Sequence, residues 1–236
     1  IVGGRLQAVC VPDEGLTQYT TPRAEFCNNT RTLHPGDTVP RTELTALLYN
    51  AGYARRAQVD GPGQFSIRGD IVDLYAPDMK LPVRMEFWGD EIDTMHTFDL
   101  ATQRREDPIE KIYVSPAREV LFGSPAEAAE LLRAFIKKFR GKKRTALEAC
   151  LATELAQLDG GAMPVNMDKY LAVRYPQPAT LLDYFDDPLL VLEEPASLRE
   201  AERATTYRRG EEISALLQDG VLAAGLDNLY AEDGYL

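Results

Sequence analysis

The side chains able to do chemistry are few. Two adjacent carboxylates, Glu193 and Glu194, follow the apolar run Leu189 to Leu192, which reads as a buried parallel strand. Carboxylates at a strand end serve nucleotide hydrolysis only beside a loop that cradles phosphates, and no G-x-x-x-x-G-K-S/T occurs in the chain. His34 and His96 are the only histidines, and no GDSGG supplies a serine nucleophile for either. The three cysteines, Cys10, Cys27 and Cys150, are odd in number and lack CxxC spacing, which argues against a disulfide framework or a structural zinc and fits a reducing cytoplasm. What remains is recognition chemistry. Trp88, the single tryptophan, shares one face of a predicted strand with Arg84 and Glu86. Arg68, on an earlier predicted strand, can lie beside them. Arginine, through forked pairing, and tryptophan, through large apolar area, are the types that most often dominate a protein interface.

These side chains are positioned by the stretch from Gly63 to Arg104, where short apolar/polar alternations are separated by turn residues, the pattern of a half-buried antiparallel sheet. Phe65 and Ile67 take one side of a first strand, with Ser66 and Arg68 on the other. Gly69-Asp70 interrupts the alternation as a bulge or turn, and Ile71 to Tyr75 resumes it. In the next strand Val83, Met85 and Phe87 form one face, and Arg84, Glu86 and Trp88 the other. Gly89-Asp90 turns the chain, and Ile92 to Phe98 returns.

The same residues carry a resemblance. Pro62, Gly63, Phe65, Arg68, Gly69, Ile71, Asp73, Leu74 and Pro77 match a pattern PGxFxxRGxIxDLxxP. Pro82, Arg84, Glu86, Phe87, Gly89, Asp90, Glu91 and Ile92 match PxRxEFFGDEI, and Phe98, Asp99, Thr102, Gln103 and Arg104 match FDxxTQR. Together they resemble the small inserted domain of bacterial transcription-repair coupling factors, a related version of which occurs in excinuclease B, the B subunit of excinuclease ABC. Trp88 stands where the family usually has Phe, and Asp70 where it has a small residue. The likeness is strong from about Thr30 to Val120 and weaker to Pro195.

The resemblance implies a non-catalytic module that recruits excinuclease A, the A subunit of excinuclease ABC, and links a stalled RNA polymerase to nucleotide excision repair. The family's contact residues fall on Arg68, Arg84 and Trp88; the competing expectation is that Arg84 pairs locally while Trp88 packs under a loop. RNA polymerase and DNA would be met by other domains of the parent protein, as would the ATP-driven motor. Glu193 and Glu194 occupy the place of a degenerate Walker B acid. No cofactor or metal is implied. The alternative is a fragment of excinuclease B itself, disfavoured by Pro116-Ala117-Arg118-Glu119 and by the EEP after Leu192, where that family usually has a DESH-like sequence.

The expected architecture is α/β: a small antiparallel-sheet α+β domain over residues 30–115, inserted into a partial parallel, degenerate P-loop-like layer made from residues 1–29 and 116–236. The strand Arg5–Val11 should then join Leu189–Leu192 in one sheet. A helix is predicted through Leu44, Leu47, Leu48 and Ala51, ended by Gly52. Ser124-Pro125-Ala126-Glu127 is a capped helix start, with Leu131, Leu132, Phe135, Ile136 and Phe139 on the buried side. Ser197 to Glu200 forms a second capping box.

Charge bounds the partners. A net charge of −11 argues against a broad nucleic-acid or anionic-membrane footprint. The one basic cluster, Lys137, Lys138, Arg140, Lys142, Lys143 and Arg144, reads as a solvated helix end complementing the macrodipole, with a phosphate-contacting patch as the sharper alternative. No apolar run reaches membrane length, and no signal-peptide pattern opens the chain. The chain begins at Ile1, without Met, and reads as a piece of a longer protein. Two decoys carry no weight. Ile1-Val2-Gly3-Gly4 is similar to a mature protease start without the triad, and Arg68-Gly69-Asp70 spells an adhesion tripeptide between two predicted strands of a chain expected in the cytoplasm.

Overall fold

The computed structural model describes residues 8–231. The chain divides into two compact units: Ala24–Gly123 forms one, and the flanking stretches, up to Arg23 and from Ser124, form the other. The first is therefore inserted in sequence within the second.

Ahead of the inserted unit stands a short helix α1 (Asp13–Thr17), and α2 (Arg23–Asn28) leads into it. Strand β1 (Arg31–Leu33) is followed by α3 (Arg41–Asn50), whose Leu44 and Leu48 are buried. Then come β2 (Ala54–Arg55), β3 (Gln64–Arg68), β4 (Ile71–Tyr75), β5 (Val83–Trp88), β6 (Glu91–Phe98), β7 (Arg105–Pro108) and β8 (Ile112–Val114). Strands β2 to β7 form one six-stranded sheet in sequence order, while β1 pairs with β8 in a separate antiparallel ribbon. In the large sheet only β2–β3 is parallel. This mixture of helices with a mixed and an antiparallel sheet is the α/β class anticipated from the sequence.

The alternation in β5 translates directly into burial. Val83, Met85 and Phe87 join Phe65, Val72, Leu74, Ile92 and Met95 in a core that also takes Leu44, Leu48 and Ala51 of the α3 segment. Gly69-Asp70 and Gly89-Asp90 are two-residue hairpin turns, not bulges, since Arg68 pairs with Ile71 and Trp88 with Glu91. Gly69 (φ 60°) and Gly89 (φ 63°) supply the positive φ that such turns need at their first central residue. The sheet's bulges lie elsewhere, between Glu86 and Phe87 and between His96 and Phe98. Strand β7, fully exposed and ending in proline, forms one edge of the sheet, where a missing N–H costs no ladder bond.

The other unit is helical: α4 (Pro125–Ile136), α5 (Gly141–Cys150), α6 (Ala152–Asp159), α7 (Leu171–Arg174) and α8 (Pro195–Gln218). Helix α4 packs against α5, α6 and α7. Its start is the expected one, with Ser124 accepting the Glu127 N–H at 3.1 Å and Pro125 in the first turn. Ala128, Ala129, Leu132 and Ile136 make its buried side, with Leu131 and Phe135 only partly covered. Helix α8 starts earlier than the Ser197 box implies, because Pro195 suits a first helical turn. The Ser197 hydroxyl instead donates to Glu194 Oε2 at 3.2 Å.

The expected parallel layer is not formed among the described residues. Residues 5–7 of the predicted strand Arg5–Val11 lie outside them, and Ala8 to Val11 has no strand structure. Leu189 to Leu192 is likewise irregular and solvent-facing, with Leu189 90% exposed. An apolar run becomes a buried parallel strand only when neighbours supply a ladder on both sides, and none of the described strands flanks this one. The early chain pairs instead through a bridge between Thr20 and Ala179 and another between Gln18 and Tyr230.

Candidate functional site

The polar face of the large sheet gathers the residues singled out for recognition. The register sets Ser66, Asp73, Arg84 and His96 in one row across β3 to β6. The adjacent row runs Arg68, Ile71, Glu86 and Thr94. Trp88 stands two residues beyond Glu86, at the last position of β5 before the Gly89 turn. From Arg68 to the Trp88 strand is two strand spacings, about 10 Å.

Asp73 sits at the centre with its side chain 1% exposed. Arg84 donates from Nε to Asp73 Oδ1 at 2.6 Å and from Nη2 to Oδ2 at 2.9 Å. Arg68 Nη2 donates to the same Oδ2 at 2.5 Å. One carboxylate thus lies under two guanidinium groups. Its hydrogen bonds to Arg84 push that side chain's pKa up from its ordinary value.

The segment after β6 completes the socket of Arg84. Nη1 and Nη2 donate to the Gln103 carbonyl and Oε1, both at 3.2 Å, and the guanidinium lies 4.5 Å from the centre of the Phe98 ring. Gln103 holds a left-handed φ of 59° and is fixed by its own N–H to Asp99 O at 2.8 Å. Asp99 Oδ1 accepts from the Thr102 N–H at 2.7 Å and its hydroxyl at 2.8 Å. These bonds to Thr102 hold the Asp99 carboxyl below its ordinary pKa. Phe98, Asp99, Thr102 and Gln103 therefore form a cradle for one arginine.

The three expected contact residues differ in availability. Trp88 is 83% exposed, so it does not pack under a loop. The Arg68 side chain is 46% exposed and spends one of its donors on Asp73. Arg84, by contrast, is 12% exposed, and its Nε, Nη1 and Nη2 each donate to Asp73 or Gln103. Glu86 is paired to Arg105, not to Arg84.

A residue that periodicity does not single out fixes the edge of this surface. Arg41, at the start of α3, donates from Nη1 to Gly69 O at 2.7 Å and to Asp70 Oδ1 at 2.5 Å, and from Nη2 to Gly89 O at 3.4 Å. It ties the tips of both hairpins together. Phe87 N–H to Asp70 O (2.8 Å) and Val39 N–H to Asp90 O (2.7 Å) tie them further. Trp88 is thereby an exposed ring on a braced hairpin tip. Asp73, also outside the sequence-predicted set, does carry a signal: aspartate is depleted in strand interiors, so one between Val72 and Leu74 calls for a partner.

Glu193 and Glu194 do not end a strand. Both are exposed, and Glu194 is the residue before α8, with φ 47°. Among the described residues no group of three or more His, Cys, Asp or Glu side chains is arranged to hold a metal ion. No described helix is long and apolar enough to cross a membrane.

Comparison with known proteins places the chain beside named relatives. Residues 32–120 match the family model of the UvrB interaction domain. The transcription-repair-coupling factor of Bacillus subtilis (strain 168) is 29% identical over 228 residues, which is 93% of this chain and 19% of the relative. That of Staphylococcus haemolyticus (strain JCSC1435) is 30% identical over 219 residues, 89% of this chain and 18% of the relative. A third, from Staphylococcus aureus (strain MRSA252), is 26% identical over 226 residues. The chain thus spans about a fifth of the length of these curated relatives. Its residues 32–120 thus resemble the UvrB interaction domain, within a sequence similar along about nine-tenths of its length to transcription-repair-coupling factors.

Proposed function

We propose that this chain is a protein-interaction module of transcription-coupled DNA repair that recruits excinuclease A, and that the recruiting surface is the braced sheet face around Trp88. The observation that carries this is the 83% exposure of Trp88 at the tip of a hairpin held by Arg41. A large aromatic is left in water at a hydrophobic cost, and a fixed one loses little further freedom when covered. Arg68 stands on the same face with donors uncommitted, suited to an acidic group on the partner.

In this reading the three residues differ in role, which their unequal exposure supports. Trp88 and Arg68 are the side chains a partner meets. Arg84 is a positioning residue, acting through Asp73, which holds Arg68 in turn. Coupling to RNA polymerase, and any ATP-driven movement on DNA, belong in this reading to parts of a longer protein. The chain itself has no phosphate-cradling loop to make Glu193 and Glu194 catalytic.

The test is a titration of purified excinuclease A with this chain by calorimetry, with Trp88→Ala and Arg68→Gln alongside. Binding that is weakened by both variants while their melting temperatures stay unchanged supports the reading. Absence of binding by the parent chain, or full binding by both variants, overturns it.

A further inference from the structure

The basic cluster is a charged surface that the recruiting face does not use. Six of the eight residues from Lys137 to Arg144 are cations, in a chain whose net charge is −11. As a helix end complementing a macrodipole it would be unremarkable, and for Lys137 and Lys138, just past the end of α4, that account holds. Lys142, Lys143 and Arg144 contradict it. They occupy the first turn of α5, the positive end of that helix, where no acidic residue stands and where Arg140 as N-cap makes no side-chain cap bond. Like charge is thus added to a helix end that already carries it.

Little among the described residues offsets that charge. Arg144 pairs with Glu148 at 2.8 Å, and Lys138 lies 6.0 Å from the centre of the Phe135 ring. Lys137, Arg140, Lys142 and Lys143 are exposed, and none of the ion pairs among the described residues involves them. Four cations, in the α4–α5 connection and the first turn of α5, thus have no ion-pair partner among the described residues. The one aromatic residue in the segment is turned inward: Phe139 stacks edge-on to Phe135 at 5.1 Å, and its ring stands where a side chain at Gly225 would fall.

We propose that Lys137–Arg144 is a contact surface for the phosphate backbone of duplex DNA, met by Lys137, Arg140, Lys142 and Lys143. Charge complementarity selects a polyanion. The absence of an outward aromatic in the segment removes the stacking platform on which single strands are bound, and the absence of an exposed apolar anchor removes the centre that an acidic protein partner would need. A cationic point array with neither is suited to following a regular row of phosphates, without reading sequence. Four contacts make this an accessory surface, consistent with the overall negative charge of the chain.

The experiment is fluorescence anisotropy of a labelled 20-base-pair duplex titrated with the chain at several salt concentrations. Four phosphate contacts give a log–log salt slope of about −3.6, a roughly hundredfold loss of affinity between 50 and 200 mM salt. The double variant Lys142→Gln/Lys143→Gln should bind about tenfold more weakly at 50 mM and lower the slope by about 1.8. Arg199→Gln/Arg203→Gln on α8 removes the same charge elsewhere and should bind as the parent does. No binding by the parent chain at 50 mM overturns the proposal, and so does equal loss in the two double variants, which would reduce the effect to net charge. Displacement of the duplex by poly-glutamate as effectively as by unlabelled duplex would assign the surface to an acidic protein partner instead. Circular dichroism of both double variants separates these outcomes from misfolding.

Discussion

Asp73 and Arg84 face each other across β4 and β5 and close a two-point hydrogen-bonded pair, 2.6 and 2.9 Å, with the aspartate side chain 1% and the arginine 12% exposed. A third group, Arg68, shares the aspartate from the solvent side. The arrangement turns a buried charge pair into a fixed base for an exposed cation. It also makes the two partners unequal.

Removing Asp73 leaves Arg84 buried without its carboxylate, whereas removing Arg84 leaves Asp73 still held by Arg68. Breaking a buried pair from one side costs about 3–5 kcal/mol. Asp73→Ala should fall in that range and Arg84→Ala below it. Urea unfolding of both single variants and of Asp73→Leu/Arg84→Met checks this. The double variant should cost less than the sum of the singles, since it strands no charge.

Trp88 is the sole tryptophan and 83% exposed, so the free chain should emit at the long wavelength of a solvated indole. Covering the ring with excinuclease A should move the emission to the blue. Trp88→Ala should leave stability within about 0.5 kcal/mol, as exposed sites do. Truncating a central aromatic anchor costs about 2 kcal/mol of binding or more, so recruitment should weaken roughly thirtyfold. Emission already blue in the free chain would show that the ring is covered from the start.

Arg41 braces the two hairpin tips from α3. Arg41→Ala should release them, seen as a drop in the steady-state anisotropy of Trp88 and faster hydrogen exchange at the Phe87 N–H, which bonds to Asp70. Arg41→Lys keeps the charge but cannot reach both turns with a fork, and should rescue only in part. Unchanged anisotropy in both variants would mean the tips hold without Arg41.

The Asp99 turn carries a pH signature. Its carboxyl is held below the ordinary value of 3.8 by hydrogen bonds from Thr102. A depressed folded-state pKa contributes stability that is present above the unfolded value and lost as pH falls through the folded one. The Thr102 amide resonance should therefore titrate with a midpoint below 3.8, and Asp99→Asn should abolish that titration. A midpoint at or above 3.8 would show that the turn does not favour the ionised carboxylate.

The spacing of near neighbours was enough to read the sheet, its inward face and the start of α4. Val83, Met85 and Phe87 alternate with Arg84, Glu86 and Trp88, so any strand there must bury the first set, and Gly89-Asp90 marks a turn, while the choice between bulge and turn at Gly69-Asp70 was made by the pairing of Arg68 with Ile71. Ser124, Pro125 and Glu127 likewise specify a helix start within four residues. These features rest on interactions between near neighbours, which composition and spacing encode directly. Tertiary structure alone decided that Arg84 is enclosed while Arg68 and Trp88 are open, because that depends on Asp73, Phe98 and Gln103 arriving from other strands and a turn. It also divided the basic cluster between two helix ends of opposite sign. And it left Leu189 to Leu192 in solvent although its composition is that of a buried strand. An apolar run states a preference for burial, but a parallel strand exists only where neighbouring strands offer their hydrogen bonds, and no local pattern can supply them.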